Sequence, residues 1–161
     1  MTPTPDVHDL LSLAGETVLV TGASGNIGGV VGRRLAEAGA EIVVHFHRDK
    51  ASATSLVYEL GSGMIVQAEL SDADAVDAMF AACRPTMVVN NAAAQPVQAL
   101  DDMRFDDWRA VMSANLDGAF LVTQCAAGSW KDAGGAVVNI ASIEGTDPAV
   151  GHAHYATSKA G

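Results

Sequence analysis

The feature that most constrains the fold is a repeat of short, continuously apolar runs, each followed by a segment with helical spacing. Residues 17–21, 41–47, 64–68, 86–90 and 136–141 read as strands. Val18-Leu19-Val20, Ile42-Val43-Val44 and Val137-Val138 are apolar at successive rather than alternate positions, the pattern of strands buried on both faces. Between them the spacing predicts a helix over 27–38, stopped by Gly39. A second runs from an Asp49 cap to about residue 60, with Gly61 ending it. A third opens in a capping-box pattern, Ser71-Asp72-Ala73-Asp74, and reaches Cys83 before Pro85 breaks it. A long apolar-periodic helix is expected from an Asp106 cap to Trp130, and a last one begins near Ala153.

Strands linked by crossover helices form a parallel sheet covered on both faces. The expected fold class is therefore α/β, a Rossmann-like doubly wound parallel sheet, with five strands present and the C-terminal part of such a sheet missing. The chain of 161 residues, 49% hydrophobic, is enough for one core and too short for two. It divides into a polar, flexible lead-in over 1–12 and a nucleotide-binding domain over 13–161. A net charge of −10 opposes binding to nucleic acid, which needs a basic stripe. No apolar run approaches the ~20 residues of a membrane span, and no secretory signal opens the chain, so a cytoplasmic protein is expected. Cys83 and Cys125 read as core residues.

The first strand leads into Thr21-Gly22-Ala23-Ser24-Gly25-Asn26-Ile27-Gly28 and then a helix. Glycines there permit a tight turn and close approach of the backbone to a pyrophosphate, while amides at the helix N-terminus attract anions. Dinucleotide binding follows, with Gly22, Ser24, Gly25, Asn26, Ile27 and Gly28 as contacts. A carboxylate about 20 residues past such a turn binds a ribose 2′-OH, whereas an arginine suits a 2′-phosphate. The second strand ends His45-Phe46-His47-Arg48, with no carboxylate before Asp49. NADP(H) is accordingly expected over NAD(H), with Arg48 as the phosphate ligand, His45 and His47 as supports, and Asp49 as a helix cap.

The turn resembles the T-G-x-x-x-G-x-G of the short-chain dehydrogenase/reductase family, with Asn26 in place of its middle glycine. Asparagine tolerates left-handed backbone, which would accommodate the change. Glu69-Leu70 matches the position where that family meets the adenine, and Asn90-Asn91-Ala92-Ala93 resembles its N-N-A-G turn, with Ala93 replacing the glycine. Tyr155 and Lys159 lie four residues apart on one helix face, where a fixed cation stabilises a phenolate. Ser142 precedes Tyr155 by thirteen residues, the family's spacing, and Asn115 matches its fourth catalytic position. The resemblance covers residues 13–161 and implies a function: interconversion of a carbonyl and a secondary alcohol. Tyr155 would exchange the proton, Lys159 would tune it and hold the nicotinamide ribose, Ser142 would bind the substrate oxygen, and Asn115 would hold a water linked to Lys159.

The resemblance also implies a small-molecule alcohol or ketone substrate and a homo-oligomer, dimer or tetramer, for the complete protein. The chain stops two residues after Lys159, short of the family's substrate region. The alternative is a non-catalytic NAD(P)-binding fragment or interaction module. His152 and His154 read as loop or substrate-pocket residues with no metal site, and Trp108 and Trp130 as core or interface residues.

Overall fold

A computed structural model describes residues 6–131 and 133–161. Five parallel strands form one sheet: β1 (Thr17–Val20), β2 (Glu41–Phe46), β3 (Met64–Gln67), β4 (Met87–Asn90) and β5 (Ala136–Asn139), in the order β3-β2-β1-β4-β5. The helices are α1 (Val7–Leu11), α2 (Asn26–Glu37), α3 (Lys50–Leu60), α4 (Ala73–Cys83), α5 (Phe105–Met112), α6 (Gly118–Ser129) and α7 (Ala153–Ala160). The expected α/β doubly wound sheet is thus present. Of the expected lead-in, residues 1–5 lie outside the described residues, and Val7–Leu11 forms a single short helix.

The strands are buried on both faces because the pleat sends successive side chains to opposite sides. Val18, Val20, Ile42, Val44, Phe46 and Val89 pack with Ala53 and Leu56 of α3. Leu19, Val43, Val66 and Val88 pack on the other side with Phe80 of α4 and Val122 of α6. β1 sits at the centre, its Val18–Val20 paired with Ile42–Val44 on one side and Met87–Val89 on the other. All strand carboxyl ends therefore face the same edge of the sheet.

Local chemistry explains most boundaries. Asp49 accepts the Ser52 amide at 2.9 Å and caps α3, while Gly61 closes it in the left-handed conformation. The cap of α4 is Asp72, not Ser71: its carboxylate accepts the amides of Asp74 and Ala75 at 3.0 and 3.2 Å. The long helix is not capped by Asp106 either. It starts at Phe105, and Asp107 reaches back to accept the Arg104 amide at 3.2 Å. Nor is it uniform: between α5 and α6, Ser113–Asp117 winds as a π-helix, an inserted-residue register that periodicity alone does not reveal. β5 ends at Asn139, before the expected residue 141, and a 3₁₀ turn, Ile143–Gly145, follows Ser142.

Cys83 is buried in the core as expected, whereas Cys125 is half-buried and its thiol donates to Asp77 at 3.4 Å. Burial pushes both thiols up to about 11. Trp130 packs on the α4/α6 core and donates from its indole to the Pro85 carbonyl at 2.6 Å. β5 is an edge strand, with Val138 53% exposed. Among the described residues no helix is long and apolar enough to cross a membrane.

Leu19 is 0% exposed at the middle of the central strand. Leu19→Ala should lower the unfolding free energy by about 2–5 kcal/mol, read as a drop in the urea midpoint at unchanged slope. Val30→Ala, on the exposed side of α2, should change it by no more than about 0.5 kcal/mol.

Candidate active site

The glycine turn forms where β1 meets α2. Gly22 has φ +65°, and a Cβ built on it would stand 2.9 Å from the Ala92 Cα, so backbone and space both exclude a side chain. Gly28 is excluded from carrying one by contact alone: its Cβ would lie 2.6 Å from both the Asn91 Nδ2 and the Gly22 carbonyl oxygen. Gly25 is the N-cap residue, in ordinary extended conformation, and Asn26 is the first residue of α2, with negative φ. Asn26 therefore needs no left-handed tolerance, contrary to expectation; the conformational demand falls on Gly22. No side chain caps α2, so Ser24 is not its cap. The turn's Ser24, Gly25, Asn26 and Ile27 all line the cleft described below.

A hydrogen-bond clasp joins this turn to the segment after β4. The Thr21 hydroxyl accepts the amides of Asn91 at 2.9 Å and Ala92 at 3.0 Å. In return, the Asn91 side-chain amide donates to the Thr21 and Gly22 carbonyls at 2.9 and 3.3 Å. Ala93 is exposed with negative φ, so its backbone does not need the glycine that the family pattern has there.

On the other flank, Arg48 is exposed at the end of β2 and lines the cleft, while Asp49 is spent on the α3 cap. Glu69 accepts from the Ser71 amide and hydroxyl at 3.2 and 2.9 Å and lies 3.2 Å from His47 Nε2. Leu70 is buried beneath it. His45 departs from expectation. It is 2% exposed and both ring nitrogens are engaged, Nδ1 with the Gly22 amide at 2.9 Å and Nε2 with the Ala68 carbonyl at 3.1 Å. It cannot therefore support a phosphate beside Arg48.

The remaining residues come from the 3₁₀ turn, α7 and the π segment. Ser142 accepts the Glu144 amide at 3.2 Å on its hydroxyl, which still has its proton to donate. Tyr155 is buried and Lys159 half-buried. The Lys159 ammonium donates to the Ile140 carbonyl at 2.7 Å and lies 6.0 Å from the centre of the Tyr155 ring. Burial lowers the pKa of Lys159. Asn115 sits inside the π segment, 6% exposed. Its Oδ1 accepts the Ala94 amide at 2.7 Å, and its Nδ2 donates to the Ala94 carbonyl and the Ser158 hydroxyl, each at 2.9 Å.

One cleft of about 1000 Å³ is walled by Gly22, Ser24, Gly25, Asn26, Ile27, Gly28, Arg48, Glu69, Leu70, Asn91, Ala92, Ala93, Ser142, Tyr155 and Lys159. Asn115 is not in that wall. It lines a neighbouring cavity of about 430 Å³ that it shares with Leu70, Ala92 and Lys159. The histidines before Tyr155 are not in the cleft wall either. His152 pairs through Nδ1 with Glu144 at 2.6 Å, and its ring stands edge-on to Tyr155 with centroids 6.0 Å apart. Glu144, held below its ordinary range by the Ala149 amide and by His152, does line the cleft, and sequence reasoning missed it. His154 is fully buried and accepts the Tyr155 amide at 2.9 Å.

The arrangement puts an elongated space with a helix N-terminus and an exposed guanidinium at one end, and a phenol, an ammonium and a hydroxyl at the other. It fits an anionic, extended ligand whose far end meets a proton donor. Removing the clasp should be felt in the whole molecule. Thr21→Val leaves the Asn91 and Ala92 amides without their acceptor and should cost about 1–3 kcal/mol, read as a lower melting temperature. An unchanged melting temperature would mean those amides are satisfied elsewhere.

Comparison with known proteins agrees with this geometry. Residues 16–161 match the family model described as short chain dehydrogenase. A 3-oxoacyl-[acyl-carrier-protein] reductase of Synechocystis sp. is 33% identical over 162 residues, covering 94% of this chain and 66% of the relative. A short-chain type dehydrogenase/reductase from Mycobacterium marinum superposes with a TM-score of 0.90 at 30% identity, over 97% of this chain and 68% of that one. A gluconate 5-dehydrogenase from Burkholderia cenocepacia, solved with NADP and tartrate, does so at 0.86 and 32% identity, over 96% and 64%. This chain thus spans about two thirds of the length of the relatives it matches. With the Gly22–Gly28 turn, the Thr21 clasp and the Ser142, Tyr155 and Lys159 wall all inside the matched residues, the chain belongs to the short-chain dehydrogenase family.

Proposed function

We propose that this protein is an NADP(H)-dependent oxidoreductase interconverting a carbonyl and a secondary alcohol. The observation that carries the reading is the single cleft shared by the glycine turn and by Ser142, Tyr155 and Lys159. When bound, the nicotinamide would supply the hydride. The residues that would hold the dinucleotide are the amides of the α2 N-terminus with Ser24 at the pyrophosphate, and Leu70 with Glu69 at the adenine. Asn91, Ala92 and Ala93 would contact the ribose side.

Arg48 supports NADP(H) over NAD(H). It is exposed and lines the cleft, and Asp49, the carboxylate that follows it in the chain, is held by Ser52 as the α3 cap. The gluconate 5-dehydrogenase structure holds NADP in the same fold.

At the other end the chain's own residues divide the proton chemistry. Tyr155 gives a proton to the substrate oxygen in reduction and takes it back in oxidation. Lys159, anchored on the Ile140 carbonyl, keeps its ammonium 6.0 Å from the centre of the Tyr155 ring, where it would also hold the nicotinamide ribose. The Ser142 hydroxyl, whose lone pair already serves the Glu144 amide, donates to the substrate oxygen and orients it. Asn115 acts as a positioning residue, tying the Ala94 segment to Ser158 on α7. The cavity of about 430 Å³ that it shares with Lys159 has room for the linking water that the family resemblance implies. The substrate is a small-molecule alcohol or ketone, and a homo-oligomer is proposed for the working protein. Cys83 and Cys125, protonated at neutral pH, take no part.

Two measurements test the reading. In parallel titrations NADPH should bind more tightly than NADH, and Arg48→Ala should weaken NADPH by roughly ten- to a hundredfold while leaving NADH nearly unchanged. A variant that keeps its full preference would remove Arg48 from the 2′-phosphate site. Tyr155→Phe should lower kcat for carbonyl reduction by roughly 10²–10⁴-fold with the NADPH affinity within about threefold. Saturable NADPH binding with no turnover on any carbonyl would favour the alternative, a dinucleotide-binding module.

A further inference from the structure

His45 has no place in the chemistry above, yet its position is among the most constrained in the molecule. It belongs to β2, whose Ile42–Phe46 are all buried, and it is the polar member of that run. A polar ring in such a strand must be satisfied internally. Its Nδ1 lies 2.9 Å from the Gly22 amide, which can only donate, so Nδ1 is the lone-pair nitrogen. The proton is then on Nε2, which donates to the Ala68 carbonyl at 3.1 Å. The ring is a neutral imidazole with one tautomer and no spare valence.

The two groups it bridges are the two walls of the dinucleotide end of the cleft. Gly22 is the residue of the phosphate turn that needs positive φ, and it is wedged against Ala92 on its other side. Ala68 immediately precedes Glu69 and Leu70. Gly22 is thus pinned from β4 by contact and by the Asn91 amide, and from β2 by His45.

We propose that His45 is a positioning residue for dinucleotide binding, holding the Gly22 turn through its neutral Nδ1, and that the turn is released when the ring is protonated. The inference rests on the dinucleotide-binding reading given above. An imidazolium has no lone pair on Nδ1, so it turns a second donor toward the Gly22 N–H and breaks the bridge. Burial disfavours the charged ring and lowers its pKa. His47, two residues along β2, opposes charging as well, whereas Glu69 beyond β3 and the Ala68 carbonyl favour it. β1, on the other side, brings no titratable group. The sign follows: affinity is full while the ring is neutral and falls as the pH drops through the lowered pKa.

Two substitutions separate the halves of the bridge. In His45→Asn the side-chain oxygen stands where Nδ1 does and keeps an acceptor for Gly22. In His45→Gln the amide reaches toward Ala68 and abandons Gly22. NADPH is titrated into the wild-type chain and both variants from about pH 8 to about pH 5, with the melting temperature followed in each. Wild-type affinity should fall, and never rise, toward the acid end of that range, approaching about tenfold per pH unit once the pH is below the lowered pKa of the one titrating ring. His45→Asn should bind within about threefold of wild type at the upper end and show a flatter profile. His45→Gln should bind about tenfold more weakly there, even where its melting temperature equals that of His45→Asn.

Wild-type affinity in His45→Gln, or the full wild-type slope in His45→Asn, overturns the proposal. The wild-type protein also carries a test that needs no variant. The ¹⁵N shift of the His45 Nδ1 should be that of an unprotonated nitrogen at neutral pH, and a protonated Nδ1 there refutes the bridge. If the wild type binds neither NADPH nor NADH while its Nδ1 is unprotonated, the dinucleotide reading fails rather than the geometry of His45, and the role proposed for it falls with that reading.

Discussion

The hydroxyl of Thr21 accepts two amides from a segment 70 residues away, and the cleft depends on that contact. Parallel pairing of β1 with β4 brings the two strand ends level, but pairing stops at Val20 and Val89. Beyond those residues the backbone groups need other partners. Thr21 and Asn91 supply them by exchanging side-chain for main-chain bonds in both directions, which lets the two chains leave the sheet together and packs the Asn91 amide against Gly28. The glycines then follow from proximity: Gly22 because Ala92 is beside it, Gly28 because Asn91 is.

The end of the cleft lined by Ser142, Tyr155 and Lys159 is built on different principles. Its residues do not lie on paired strands; they follow β5 through a 3₁₀ turn into the eight-residue α7. Cross-bonds hold the parts together. Lys159 reaches back to the Ile140 carbonyl, His152 to Glu144, and Asn115 spans from the π segment to the Ala94 segment and to Ser158. A π-helical register adds one residue to a turn and turns the following side chains to a new direction. Here it lets α5 and α6 run on continuously while Asn115 points into the space between β4 and α7 rather than along the outside of the helix.

Strand count, sheet order and most helix ends were legible in the residues because their causes are local or pairwise. Asp49 with Ser52, Gly61 at positive φ, and the unbroken Val-Leu-Val and Ile-Val-Val runs act over a few residues each. Asp72 displaced Ser71 as a cap, and Arg104 with Asp107 displaced Asp106, since neighbouring polar residues compete for the same amides and geometry decides between them. The π segment left no mark on the periodicity. Assigning His45 to the cofactor surface took the strand end as exposed. The better signal was present: a strand apolar at successive positions is buried on both faces, so a histidine within it must find its partners inside. Glu144 was missed because its relation to His152 crosses a loop whose path spacing does not fix.

The cleft draws its walls from the ends of all five strands and from α7, segments that meet only when the sheet is assembled. An unfolded chain offers a ligand none of this. Occupancy therefore adds RT ln(1 + [L]/Kd) to the stability of the whole sheet, about 2.7 kcal/mol when ligand exceeds its Kd a hundredfold. A molecule touching only the surface of these loops would act as a tie between the middle and both flanks of the fold. Cellular supply of such a ligand would then govern how long the chain survives as well as what it does.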